Sequence, residues 1–232
     1  MKIKRYYYPV IACVIMLAVW SCNKNGDDTP VKGTTAQLNV INAVTDIRAI
    51  DFYLNGTRQN TTSAIYLYNS SGYLSVLTGE QQYQFKSDTD RTTLADIKLN
   101  PAKADSSYTL VVAGQQSNSS LATIFLGDYF VANTNTKNAQ VRYIQASPGT
   151  ASYDVFVGDT LSFKSKAFKA YTGFQGVGAG KKTVKIMLAG TTTPIFNGTV
   201  VIQAGSYYTL LTQGALNGSG KNAFSVSVSL TR

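Results

Sequence analysis

Residues 36–56, AQLNVINAVTDIRAIDFYLNG, recur without gaps as AQVRYIQASPGTASYDVFVGD at 139–159. Ala36/Ala139, Gln37/Gln140, Ile41/Ile144, Ala43/Ala146 and Asp51/Asp154 are identical. Leu38/Val141, Val40/Tyr143, Phe52/Val155, Tyr53/Phe156 and Leu54/Val157 stay apolar. GYLSVLTGEQQYQF (72–85) then lies over GFQGVGAGKKTVKI (173–186), and SYTLVVAG (107–114) over YYTLLTQG (207–214). The offset shortens from 103 to 101 to 100 only between blocks, as changes of loop length produce. The chain of 232 residues is therefore one unit of about 100 residues written twice, each long enough for a small core.

Within each unit the apolar period is two. LNVINA, YLSVL, YQFKS, TLADIKL, YTLVVAG and LATIFL are short, β-branched and aromatic, and separated by Gly, Asn, Asp, Ser or Pro; VRYIQA, YDVFV, TVKIML, FNGTVVI, YYTLLTQ and FSVSVSL repeat the pattern. No stretch keeps a helical stripe. About seven short strands per 100 residues predict an all-β chain of two tandem immunoglobulin-like antiparallel β-sandwich domains. A single barrel is the alternative; a full strand set in each copy argues against it and implies that each copy folds alone.

Residues 1–21 read as a signal peptide: Lys2, Lys4 and Arg5, then an apolar run from Pro9 to Trp20. The run is short for a membrane span of about 20 residues. Its end, LAVWSC, resembles a bacterial lipobox, which would make Cys22 the lipidated first residue of the mature chain. Cys13, the one other Cys, leaves with the signal. Residues 22–35 are polar, with Gly26, Pro30 and Gly33, and read as a flexible tether. Asp27 and Asp28 resemble the acidic signal that sends lipoproteins of the Bacteroidota to the cell surface; a solvated linker is the alternative. The repeats are expected over 36–135 and 136–232.

The second copy carries QASPG (145–149), YDVFVG (153–158), GF (173–174) and AGSYYTLL (204–211); the first carries NAVTD (42–46), IDFYLNG (50–56), GY (72–73) and SSYTLVV (106–112). Over nearly all of 36–232 these blocks resemble domain-of-unknown-function family 4397 of secreted and anchored bacterial proteins. The resemblance implies a two-repeat extracytoplasmic β protein and brings no active site to carry over.

The sequence has no His, which excludes a Ser-His-Asp triad and a His-ligated metal. No catalytic residue, cofactor or metal is expected. Asp51 and Asp154, repeat-equivalent at strand starts, suit structural carboxylates that bond the backbone of a nearby loop. The rival is a carboxylate-dependent glycan-acting enzyme, whose acids must lie about 5–9.5 Å apart. SDTDR (87–91) lacks the full calcium-loop series and reads as a turn. GVGAGKKT (176–183) misses the phosphate-loop spacing and reads as a hairpin turn. Tyr66, Tyr68, Tyr73, Tyr171 and Phe174 lie near turns, where rings either stack on sugars or pack.

Charge is uneven. Residues 36–138 are net −1 and residues 139–232 net +7. The excess sits in Lys164, Lys166, Lys169, Lys181, Lys182 and Lys185, and alternation would put Lys164 and Lys166 on one face. Such a face attracts anionic headgroups or acidic polysaccharide; edge-strand protection is the alternative. The expected picture is a non-catalytic outer-membrane lipoprotein, membrane-bound through Cys22, with a glycan, anionic surface or envelope protein as partner and no nucleic acid.

Overall fold

The computed structural model describes residues 34–100, 103–130 and 137–232. The expected signal, Cys22, Asp27, Asp28 and the tether up to residue 33 lie outside the described residues. Turn residues cut the first repeat into β1 (Thr35–Val44), β2 (Ala49–Leu54), β3 (Thr57–Arg58), β4 (Ile65–Tyr66), β5 (Ser70–Leu77), β6 (Gln81–Ser87), β7 (Thr93–Leu99), β8 (Ser107–Gly114) and β9 (Ala122–Gly127). The second is cut into β10 (Asn138–Gln145), β11 (Tyr153–Val157), β12 (Thr160–Lys166), β13 (Gln175–Gly178), β14 (Gly180–Leu188), β15 (Pro194–Ile202), β16 (Tyr207–Gln213) and β17 (Ser225–Leu230).

Each repeat is a sandwich of two sheets. In the first, β5-β1-β8-β9 faces β3-β2-β6-β7, with β4 also paired to β2; in the second, β13-β10-β16-β17 faces β12-β11-β14-β15. The chain is all-β, as its period-two pattern predicts. One feature departs from a purely antiparallel plan: β1 pairs in parallel with β8, and β10 with β16. The chain visits the opposite sheet between these strands, and such a long crossover lets it re-enter from the same end.

Alternation fills two cores. Leu38 and Val40 of β1, Phe52 of β2, Phe85 of β6 and Leu110 of β8 pack inside the first sandwich. Val141 and Tyr143 of β10, Val155 of β11, Ile186 of β14 and Leu210 of β16 fill the second, where the Tyr143 and Phe163 rings stack 5.7 Å apart. A third core joins the repeats. Ile41, Ala43, Val111, Ala113, Ile124 and Leu126 meet Ile144, Ala146 and Leu211. These come from the other faces of the β1 and β10 sheets, which are therefore the inner layers of a four-layer stack. Each large side chain there contributes about 1.5–3 kcal/mol.

A polar seam continues this interface. Arg142 of β10 is 1% exposed. Its Nε donates to Thr209 Oγ1 at 2.8 Å and its Nη2 to Thr109 Oγ1 at 2.9 Å. Its Nη1 donates to the Asp128 carboxylate, which is fully buried just past β9. The other Asp128 oxygen accepts the Tyr73 hydroxyl at 2.6 Å and Thr109 Oγ1 at 2.8 Å. Burial, and then the facing Asp128, push the Tyr73 hydroxyl well above the usual tyrosine range, so it stays protonated and donates. The Arg142 guanidinium also lies 4.8 Å from the Phe174 ring centroid.

Each repeat thus owns its strands but not the cover for its inner sheet. Residues 139–232 alone would expose Ile144, Ala146 and Leu211 and leave Arg142 without its carboxylate. We expect that fragment to associate, or to melt well below the full chain, by light scattering and circular dichroism. A monomer as stable as the full chain would show that the third core contributes nothing. In the full chain, Asp128→Ala should cost about 3–5 kcal/mol in urea unfolding, because it strands a buried cation. Asp128→Leu combined with Arg142→Met should recover most of that loss.

Candidate functional site

The two repeat-equivalent carboxylates are the first candidates. Ile50, Phe52 and Leu54 of β2 point into the first core, so Asp51 points out from the outermost sheet. It is nonetheless 1% exposed. Arg58 Nη2 approaches it at 2.6 Å, Arg91 pairs with its other oxygen, and Asn60 Nδ2 donates to it at 3.2 Å. Asp154 occupies the equivalent outward position of β11, and no cation pairs with it among the described residues. It accepts the backbone N–H groups of Ser165 at 2.7 Å and Gly190 at 3.3 Å. Asp154 is thus bonded by loop backbone, whereas side chains take that place at Asp51. The two acids sit on the outermost faces of the stack, three sheet spacings or about 30 Å apart. That separation is several times what a glycosidase pair requires.

The six lysines do not form one face. The register of β12 against β11 shifts twice, and Ser165 takes a left-handed φ of 50°. This bulge breaks the alternation that would have aligned Lys164 with Lys166. Lys164 stays exposed beside inward-facing Phe163, whereas Lys166 falls opposite Tyr153, a core residue. Lys181 and Lys185 alternate with buried Val184 and Ile186 and lie on the outer face of β14. Lys182 has the opposite parity; its stem passes Gly158 and its ammonium reaches Gly178. Lys169 belongs to the inner sheet's end, where its N–H donates to Gln145 O at 2.9 Å. Lys164, Lys181 and Lys185 therefore share the outer side with exposed Leu161 and Val201. The bulges and lysines of β12 also guard an edge strand.

The remaining motifs resolve simply. SDTDR closes the β6–β7 hairpin: Asp88 pairs with Arg48, and Asp90 accepts the Thr92 N–H at 3.1 Å. Among the described residues no three Asp, Glu, His or Cys side chains gather to hold a metal ion. GVGAGKKT is not a hairpin, since β13 pairs with β10 and β14 with β11 and β15. The chain crosses there from inner to outer sheet, and Gly180 supplies the required φ of 107°. Of the five aromatic candidates, three are absorbed between the repeats. Tyr73 and Phe174 serve the Arg142 seam, and the Tyr68 hydroxyl donates to Lys221 O at 2.6 Å. Tyr66 and Tyr171 remain about half exposed.

Tyr66 lies at a concavity that the first repeat builds from its own loops. Between β3 and β4 the chain leaves the ladder, and residues 59–64 stand away from the edge strand β5. The resulting groove, open to solvent and 480 Å³ in volume, runs from Gln59 to Leu74. The period-two pattern does not mark it, although QNTTS and NSSG on either side of IYLY concentrate amides and hydroxyls. Nor does that pattern mark Arg142 or Asp128.

The family model described as Domain of unknown function (DUF4397) matches residues 36–150 and again 139–228. The chain belongs to the DUF4397 family. No curated protein matches it. The first DUF4397 match runs past β9 and through β10, so it crosses the junction that Arg142 and Asp128 tie together.

Reversal of the three outward lysines tests whether the second DUF4397 repeat has a localised anion-binding face. Lys164→Glu/Lys181→Glu/Lys185→Glu should lose retention of the chain on a sulfated polysaccharide column near 0.01 M salt. There the Debye length is about 30 Å, against about 8 Å at 0.15 M. Lys166→Glu/Lys169→Glu/Lys182→Glu, of equal net charge, should lose less. Equal losses would reduce the effect to net charge.

Proposed function

We propose that this DUF4397 protein is a lipid-anchored protein of the cell envelope whose fused repeats do no chemistry and serve as a binding or supporting body at the outer membrane. The observation that carries the non-catalytic part is the fate of Asp51 and Asp154. Both are fully engaged in local bonding, and they face away from each other across the four-layer stack. A carboxylate-dependent glycosidase needs a proton donor and a second carboxylate across one bond, and this pair supplies neither.

The anchored part rests on the leader. A basic start, an apolar run and LAVWSC precede a chain with no Cys after residue 22. Acyl chains on Cys22 would hold the body firmly, since each buried CH₂ contributes about 0.8 kcal/mol and a single chain alone is marginal. Asp27 and Asp28 support display on the outer surface. Glycans, an anionic surface or another envelope protein are the partners that fit this placement.

Cys22→Ala tests the anchor. The variant should lose incorporation of a fatty-acid probe in growing cells and leave the membrane fraction, because no other Cys remains after cleavage. Unchanged labelling would end the lipoprotein reading.

A further inference from the structure

The groove between Gln59 and Leu74 carries no charged side chain in its lining. This is notable only because charge is close by. Arg58 and Arg91 stand at Asp51, which bonds Asn60, a residue of the groove wall. Arg48 pairs with Asp88, and its guanidinium lies 5.4 Å from the Tyr66 centroid. Each of these cations contacts a carboxylate, with Arg58 and Arg91 sharing Asp51, and none of them lines the groove, whose own side chains are all neutral.

Five of its polar side chains are free. The hydroxyls of Thr61, Thr62, Ser63 and Ser70 and the amide of Asn69 have no side-chain partner among the described residues, and all five residues are exposed. Hydroxyls and amides both donate and accept, which suits the hydroxyls of a sugar ring. Tyr66, 46% exposed, adds an aromatic surface for the apolar side of such a ring. Most ligand sites of about 300–1,000 Å³ are lined mainly by apolar groups; this one is not, and it offers no counter-charge to an anion.

The wall is held in place before any ligand arrives. Asn60 is buried, accepts the Phe52 N–H at 2.8 Å and donates to Ser63 O at 2.8 Å. Asn42 Nδ2 donates to Ile65 O at 3.0 Å and pins β4, which carries Tyr66. A pre-set wall lowers the ordering cost of binding. The second repeat is built differently here: β12 stays paired along β11 where the first repeat breaks its ladder between β3 and β4.

We propose that this groove is a binding site for a neutral glycan, with Tyr66 as the stacking surface and Asn69 and the hydroxyls of Thr61, Thr62, Ser63 and Ser70 as its polar contacts. The proposal rests on the non-catalytic reading above and gives it a ligand class.

The test is native affinity electrophoresis of the full chain in a sugar-free non-ionic detergent. The gels contain glycogen, dextran, galactomannan, mixed-linkage β-glucan or yeast mannan. At least one should slow the chain, and Tyr66→Ala should weaken that retardation about tenfold, the effect of one lost ring contact. Thr62→Val, which keeps the side-chain shape, should weaken it less. Tyr129→Ala, at a ring 74% exposed and outside the groove, should leave it unchanged. Retardation by none of the five polymers, or equal effects of Tyr66→Ala and Tyr129→Ala at unchanged melting temperature, would overturn the site. New reducing ends together with Tyr66-dependent retardation would support the site while overturning the non-catalytic reading.

Discussion

Arg142 and Asp128 decide which surfaces of this chain meet. A guanidinium with 1% exposure is tolerable only where a carboxylate and further acceptors surround it. Here Asp128 comes from the other repeat, and Thr109 and Thr209 contribute one hydroxyl each. By repeat equivalence Arg142 corresponds to Asn39, and Asp128 to Thr231. A second repeat paired with a copy of itself would therefore bring Arg142 to Thr231, and a first repeat paired with itself would bring Asp128 to Asn39. Each such pairing buries two like charges, one from each copy, without a partner. The seam thus selects first-with-second over like-with-like, beyond what the apolar third core could do.

Much of the architecture was legible. The internal repeat and the period-two pattern give the strand sets, because an outer-sheet strand such as β14 alternates Val184 and Ile186 inward with Lys181, Thr183 and Lys185 outward. The four-layer stack was harder to see, yet its signal is present. YTLVVAG and YYTLLTQ do not alternate, and β8 and β16 are buried almost throughout. A strand apolar on both parities is covered on both faces. Counted only as sandwich strands, those runs do not reveal the shared core.

The sites were less legible, for local reasons. Lys164 and Lys166 were assigned one face because alternation was extended through a bulge, and a left-handed Ser165 is not signalled by any Gly or Asn. The GVGAGKKT segment carries hairpin residues but spends them on a change of sheet. Arg142 sits in a strand position where Asn39 stands in the other copy, and only the fold shows that the position faces a partner. The groove depends on how far residues 59–64 stand from β5, which no spacing in the sequence fixes.

The third core has one more property. Ile41 and Ile144, Ala43 and Ala146, and Val111 and Leu211 are equivalent positions, so the repeats offer each other a common centre, although Ser227 and Ser229 stand where the first repeat has Ile124 and Leu126. An interface of this kind is two-fold and self-terminating. Solenoid repeats differ in that every unit keeps a fresh surface for the next one. Here both copies of the adhesive patch are consumed by a single contact. A third copy appended to the chain would find no place to dock, so a protein of this design grows in pairs, or by linking pairs as separate bodies, rather than by lengthening one stack.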